Sequence, residues 1–357
     1  MFDRAPMHGP LWPGVPLALA SAVLFGASAP FAKLLLGSTD PQLLAGLLYL
    51  GAGIGLGMGQ AGRFVLGAAS SEAPLRRADI PWLIAVVVFG GVIGPLFLML
   101  GLARTSAASG SLLLNLEGLA TMAIAWIVFR ENVDRRLLIG AASILAGAAL
   151  LSWRGQGTSF DEGGLMIAAA CLAWGVDNNL TRRLSSADPM VIALIKGLVA
   201  GSVNLTLALL LLGARFPPIG MTGAALFVGF CGVGVSLVLF VLALRHLGSA
   251  RTGAYFSLAP FLGAVIAIIL LGEAVTPQLI IAGALMAVGV WLHLTERHSH
   301  EHTHEAIEHE HRHFHDEHHR HAHDGTVTEP HSHWHRHEPL RHRHAHYPDL
   351  HHRHDHG

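Results

Sequence analysis

The stretch LARTSAASGSLLLNLEGLATMAIAWIVFRE, Leu102 to Glu131, occurs in this chain twice as a pattern. Shifting the numbering by 142 positions lays Leu102 on Leu244, Ala108 on Ala250, Leu116 on Leu258, Ala125 on Ala267 and Glu131 on Glu273 without a gap. The register continues through Leu137 and Leu279, Ile139 and Ile281, and Gly147 and Gly289. Leu and Ala coincide by chance in so apolar a chain, but a charged residue closing the same apolar run in both copies is harder to obtain that way. The pattern is an internal duplication. Each copy is a small-residue start, an apolar helix, a terminating Glu, a short polar link and another apolar helix.

The apolar runs decide the class. Hydrophobic residues make up 52% of the chain and charged residues 13%, and the polar residues crowd into the end of the sequence. The first 294 residues are therefore far more apolar than a soluble domain allows. A spanning helix needs about 20 apolar residues. Ten runs meet that, at 13–36, 41–60, 80–102, 106–129, 136–153, 163–181, 189–213, 221–244, 252–271 and 278–294. The first is read as a span despite Arg4 before it and the signal-like Ala27-Ser28-Ala29, because it continues past that site and has a counterpart in the sixth run. Cys171 and Cys231 sit in apolar runs and read as packing residues, not as a disulfide.

Basic residues in the connections set the orientation. One side collects Arg4, Arg63, Arg76, Arg77, Arg130, Arg135, Arg136, Arg182, Arg183, Arg245 and Arg251, and the other Arg104, Arg154 and Arg215. That asymmetry predicts both termini in the cytoplasm of a cell inner (plasma) membrane. Five spans is an odd number, so the second set of five starts from the opposite face and the halves are inverted repeats, as in many secondary transporters. The fold expected is an all-α membrane protein: repeats over 12–154 and 161–294, then a disordered His-rich tail over 295–357. Setting Pro41 on Pro189 places Leu48 opposite Lys196 and Gly53 opposite Gly201, while Phe25 and Gly26 fall on Trp174 and Gly175. Pro30, Pro95 and Pro260 lie inside spans and free backbone carbonyls, which is tolerable only against protein or a water-filled cavity.

These features together resemble the EamA-type drug/metabolite transporter superfamily. The resemblance is carried by Thr105-Ser-Ala-Ala opening the fourth span, Leu116-Glu117 in its middle and Phe129-Arg-Glu131 closing it, with Leu258-Ala-Pro260 and Leu271-Gly-Glu273 in the second copy. It covers residues 12 to 294. It implies a proton-coupled or gradient-driven carrier of small organic solutes, often an exporter. Three features depart from the usual pattern: Leu48 stands where a basic residue is common, Gly118 replaces the proline after Glu117, and the His-rich tail is extra.

Polar residues inside the spans are the candidate site. Glu117 lies about 16 Å into its helix, close to the midplane. A carboxylate there is a candidate for proton coupling or for binding a cationic group, the alternative being a hydrogen-bonded strut between helices. Asp177, Asn178 and Asn179 form the most polar run in any span. Asp177 and Lys196 reach the same depth on the two arms of a helical hairpin. They form either a structural ion pair or a gate or substrate contact that opens in transport. Trp174 offers an aromatic wall, and Tyr255 can line the cavity near Pro260. Lys33 is expected to snorkel to the outer surface and Trp126 to anchor at the interface. Arg104, Arg251 and Glu131 read as boundary residues. No nucleophile with its base and no nucleotide loop is present, so an enzyme is not expected and no cofactor is required.

From Thr295 the chain changes character, with 23 His in its last 63 residues. They alternate as His298, His300, His302 and His304, and again as His309, His311, His313 and His315. Too little apolar surface is present for a core, hence the expectation of disorder. Imidazoles suit zinc, nickel, cobalt or copper, so the tail is a candidate metal buffer or sensor. The leading reading is a carrier that moves a small organic metabolite, most readily outward, by alternating access. The alternative is a transition-metal carrier, or a metal-regulated one, using the tail. The partners implied are a small-molecule substrate, the lipid bilayer and, through the tail, metal ions, with no nucleic acid.

Overall fold

The computed structural model describes residues 13–66, 75–129, 133–153, 161–184, 187–247 and 249–295, and the backbone of 299–303, 307–313, 331–337 and 341–345. Within these residues ten long helices form one bundle: α1 (Gly14–Leu36), α2 (Pro41–Val65), α3 (Arg77–Arg104), α4 (Ala107–Phe129), α5 (Arg135–Ser152), α6 (Glu162–Thr181), α7 (Pro189–Leu211), α8 (Ile219–Leu244), α9 (Arg251–Leu271) and α10 (Pro277–Leu294). Nine are long and apolar enough to cross a membrane. The exception, α6, has 20 residues but carries Asp177, Asn178 and Asn179 in its last turns. The chain is a membrane-spanning helical protein, as its composition predicts.

Matching local chemistry starts matching helices in the two halves. Asp40 caps α2, its Oδ1 accepting from the Gln42 amide at 2.9 Å, and Pro41 follows at the first helical position. Asp188 does the same for α7, accepting from the Met190 amide at 2.9 Å ahead of Pro189. The side chains of Asp134 and Thr276, 142 positions apart, cap α5 and α10 through the amides of Leu137 and Leu279. Each such cap contributes about 1 kcal/mol by satisfying amides that have no partner within the helix.

Packing follows a two-fold rule. α2 packs on α7 and α5 on α10, each helix against its own counterpart. α1 packs on α8 and α9, and α6 packs on their counterparts α3 and α4. Small residues allow this closeness. At the α2–α7 crossing a side chain on Gly53 would strike the backbone of Gly197 and Leu198.

The continuous spans expected from hydropathy are broken at places the repeat also matches. α4 is interrupted at Leu114–Asn115 and α9 at Ser257–Leu258. α3 carries a π-helical segment at Val87–Ile93 and α8 one at Phe230–Val235, again about 142 residues apart. Pro95 cannot donate to the carbonyl of Gly91, and Asn204 Nδ2 from α7 takes that role at 2.9 Å. Asn204 in turn accepts from Gln42 Nε2 of α2 at 2.8 Å, tying three helices together in the interior. Discontinuous helices of this sort are tolerated in a membrane where protein or a cavity surrounds the freed groups.

The tail is described in part. Its described parts are four strands, β1 (Ser299–Thr303), β2 (Ile307–His313), β3 (His331–His337) and β4 (Arg341–Ala345). β1 pairs antiparallel with β4 and β2 with β3. The two pairings share one register, with Ser299 opposite Ala345 in the first and His313 opposite His331 in the second. His298, His304 and His315 lie outside the described residues.

Candidate substrate site between the repeats

A cavity of about 380 Å³ lies between the halves. It runs from the middle of the bundle toward the end that carries the start of α1 and the end of α10, where Thr181 and Pro189, at the ends of α6 and α7, line it. Its size is at the lower end of the range for sites that hold small organic molecules.

One wall is polar. Asp177 on α6 and Lys196 on α7 form an ion pair, with 6% and 19% of their side chains exposed. The hairpin argument for equal depth is met. The second oxygen of Asp177 has Thr181 Oγ1 at 3.4 Å. Glu117, placed just past the break in α4, accepts a hydrogen bond from Asn178 Nδ2 at 3.0 Å, and the same nitrogen donates to Thr121 Oγ1 at 3.1 Å. Thr121 Oγ1 donates back to the Glu117 carbonyl at 2.9 Å. Glu117, Asp177, Asn178, Lys196 and Trp174 all line the cavity. Packing of α4 on α6 brings Glu117 and Asp177 to one wall.

Helix α3 supports this wall through its π-segment. The Gly90 carbonyl accepts from Tyr49 OH at 2.7 Å and from Trp174 Nε1 at 3.0 Å. A side chain at Gly90 would collide with Asp177 and Lys196, so the ion pair presses directly on the α3 backbone. Only a glycine allows so close an approach. Tyr49 also lines the cavity. It lay hidden in the sequence because a lone tyrosine in an apolar run carries no motif.

The facing wall is aromatic. Phe25 and Phe256 meet at a tilt of 46° with 5.2 Å between centroids, and Phe240 meets Phe256 edge-on at 4.9 Å. All three line the cavity. Tyr255, expected there, is not among the lining residues; one residue along a helix turns the side chain by about 100°, and Phe256 takes the place. Asn179 is also a correction. It is buried beside the wall and links α6 to α4, its Nδ2 donating to the Thr121 carbonyl at 3.0 Å and the Gly175 carbonyl at 2.8 Å. Asn115 closes the break in its own helix by donating to the Leu112 carbonyl at 2.7 Å.

The opposite end of the bundle is clasped. Glu273, at the end of α9, accepts from the amides of Ala107 and Ala108 at the start of α4, each at 2.7 Å. A carboxylate here meets unpaired amides and the positive end of the helix dipole. Lys33, only partly buried, reaches the same end. Its ammonium donates to the carbonyls of Leu102 and Thr105, which close α3. Glu273 therefore joins the second repeat to the first, a role the boundary position of such glutamates did not reveal. Its counterpart Glu131 lies outside the described residues. Trp126 is half exposed, as an interfacial residue would be, and Arg104 lies at the surface 3.9 Å from Glu162.

Two inverted five-helix units around a polar cavity define a membrane transporter of the inverted-repeat kind. The chain belongs to the EamA-like transporter family, whose pattern matches residues 12–153 and again 162–295. An uncharacterised transporter of Methanothermobacter thermautotrophicus is 31% identical over 295 residues, 79% of this chain and 86% of that one. A probable terminal-alkyne amino-acid exporter of Streptantibioticus cattleyicolor is 24% identical, covering 71% of this chain and 88% of the relative. A probable amino-acid metabolite efflux pump of Salmonella typhimurium is 25% identical, covering 78% and 93%. A solved crystal structure shares the fold with a TM-score of 0.57 at 21% identity, covering 78% of this chain and 96% of its own.

Proposed function

We propose that the protein is a secondary carrier that exports a small amino-acid-like metabolite across the plasma membrane by alternating access, with both termini in the cytoplasm. The observation that carries this reading is the two-sided cavity, with Asp177, Lys196 and Glu117 on one wall and Phe25, Phe240 and Phe256 on the other. Such a site suits a solute with a charged head and an apolar body. The names of the two exporter relatives point the same way.

Glu117 is the proposed coupling group. Among the described residues it lines the cavity without an ion-pair partner, and its hydrogen bond from Asn178 leaves the second carboxylate oxygen able to take a proton or a cationic group. The test is reconstitution of the full-length protein in liposomes loaded with apolar and aromatic amino acids under an imposed pH gradient. Gradient-driven flux of at least one of them is expected. Absence of flux for the whole set would overturn the reading.

The tail supports a second, separate proposal, that it binds zinc, nickel, cobalt or copper ions. The strand register sets His300 opposite His344, His302 opposite His342, His309 opposite His335 and His311 opposite His333. Alternate strand residues share a face, so neighbouring pairs gather imidazole-bearing positions on one side. Among the described residues no group of three or more His, Cys, Asp or Glu side chains comes together, so this proposal concerns binding by the tail and not passage through the bundle. Metal titration of the full-length protein against a form lacking residues 297–357 checks it, with retained affinity after deletion as the contradicting result.

A further inference from the structure

The Asp177–Lys196 pair poses a question that the exporter reading leaves open: what can bind to it? Two observations limit the answer. Behind the pair stands the α3 backbone at Gly90, where even a methyl group would not fit, so that side is closed, while the cavity side is lined by both residues. Both partners also have unused capacity. Lys196 has three donor hydrogens and Asp177 is its one acceptor among the described residues, while the remaining contact of Asp177 is the long one to Thr181.

A buried pair of this kind resists any solute that carries a single charge. An amine that reaches Asp177 leaves Lys196 without an anion, and a carboxylic acid that reaches Lys196 leaves Asp177 without a cation. Either exchange strands a charge on a side chain that is mostly buried. A solute with an ammonium and a carboxylate on one carbon supplies both partners at once, and the exchange leaves no charge unpaired.

We infer that Asp177 and Lys196 read zwitterions: the α-ammonium of the substrate takes the place of Lys196 at Asp177, and its α-carboxylate takes the place of Asp177 at Lys196. The side chain of the substrate lies on Phe25, Phe256 and Phe240, which line the same cavity and contact one another. The substrate class is thus an α-amino acid with an apolar or aromatic side chain. The inference rests on the exporter reading but goes further, because it makes the ion pair the element that rejects amines and acids of the same shape.

The experiment is a counterflow assay with full-length protein in liposomes, using whichever of labelled phenylalanine, leucine or valine is transported best. Competition is measured with the unlabelled amino acid, with its decarboxylated amine and with its deaminated carboxylic acid. Each singly charged analogue is expected to compete at least about 100-fold more weakly than the amino acid, the lower end of what one stranded charge implies. Asp177→Asn is expected to shift preference toward the acid and Lys196→Met toward the amine, a reversal that a purely structural pair would not give. If either analogue competes within about tenfold of the amino acid in the unaltered protein, the inference falls while the exporter reading stands. If none of the three amino acids moves, the inference falls whether or not other solutes are carried. The wild-type competition decides the matter even if the single variants fail to fold.

Discussion

The two walls of the cavity are built from symmetry-related helices and carry opposite chemistry. α4, α6 and α7 form the polar wall; α9 and α1, the counterparts of the first two, form most of the aromatic one. In the 142-residue register Glu117 corresponds to Ala259, and in the alignment that places Trp174 on Phe25, Asp177 and Asn178 correspond to Ser28 and Ala29. The backbone breaks, the caps and the π-segments of α3 and α8 are shared between halves while these side chains are not. Duplication therefore accounts for the scaffold, and the site arose where the copies diverged.

The largest expected effect concerns the polar wall. Lys196→Met leaves Asp177 buried and unpaired and is expected to destabilise the protein by about 3–5 kcal/mol, whereas adding Asp177→Asn restores most of that loss. Thermal unfolding in detergent checks it, and equal destabilisation by the single and double variants would show that the pair does not act as one unit. The clasp at the far end comes next. Glu273→Gln replaces two charge-assisted bonds and is expected to weaken the α4–α9 contact by about 1.5–3 kcal/mol, read as a larger distance between spin labels near Ser109 and Leu270. An unchanged distance distribution would mean that packing alone holds that end shut. The smallest effect falls on the aromatic wall. Phe240→Ala removes an edge-on ring contact and part of the apolar lining, and a rise in KM of about tenfold with little change in kcat is the outcome expected. A fall in kcat at constant KM would assign that ring to the conformational step.

How far the sequence anticipated this site depends on the kind of signal each residue leaves. Glu131 and Glu273 betray the duplication because a charge closing an apolar run is conspicuous. Asp177 and Lys196 are legible because a charge inside a span is costly and two at one depth in a hairpin suggest each other. The break in α4 was not legible, because Gly118 stands where a proline would have announced it. Phe25, Phe240 and Phe256 were hidden for the opposite reason: an aromatic residue facing a cavity and one facing lipid look alike in an apolar run. Tyr255 shows the limit of placing residues by depth alone, since depth does not specify azimuth.

The account depends most on divergence of the two walls having placed a working carboxylate at Glu117 where its counterpart is Ala259. The most direct measurement is amino-acid accumulation in liposomes under a pH gradient, compared with counterflow in the same liposomes, for Glu117→Gln. Loss of gradient-driven accumulation with counterflow retained is the predicted result. Accumulation equal to that of the unaltered protein would contradict the assignment of Glu117 as the coupling group.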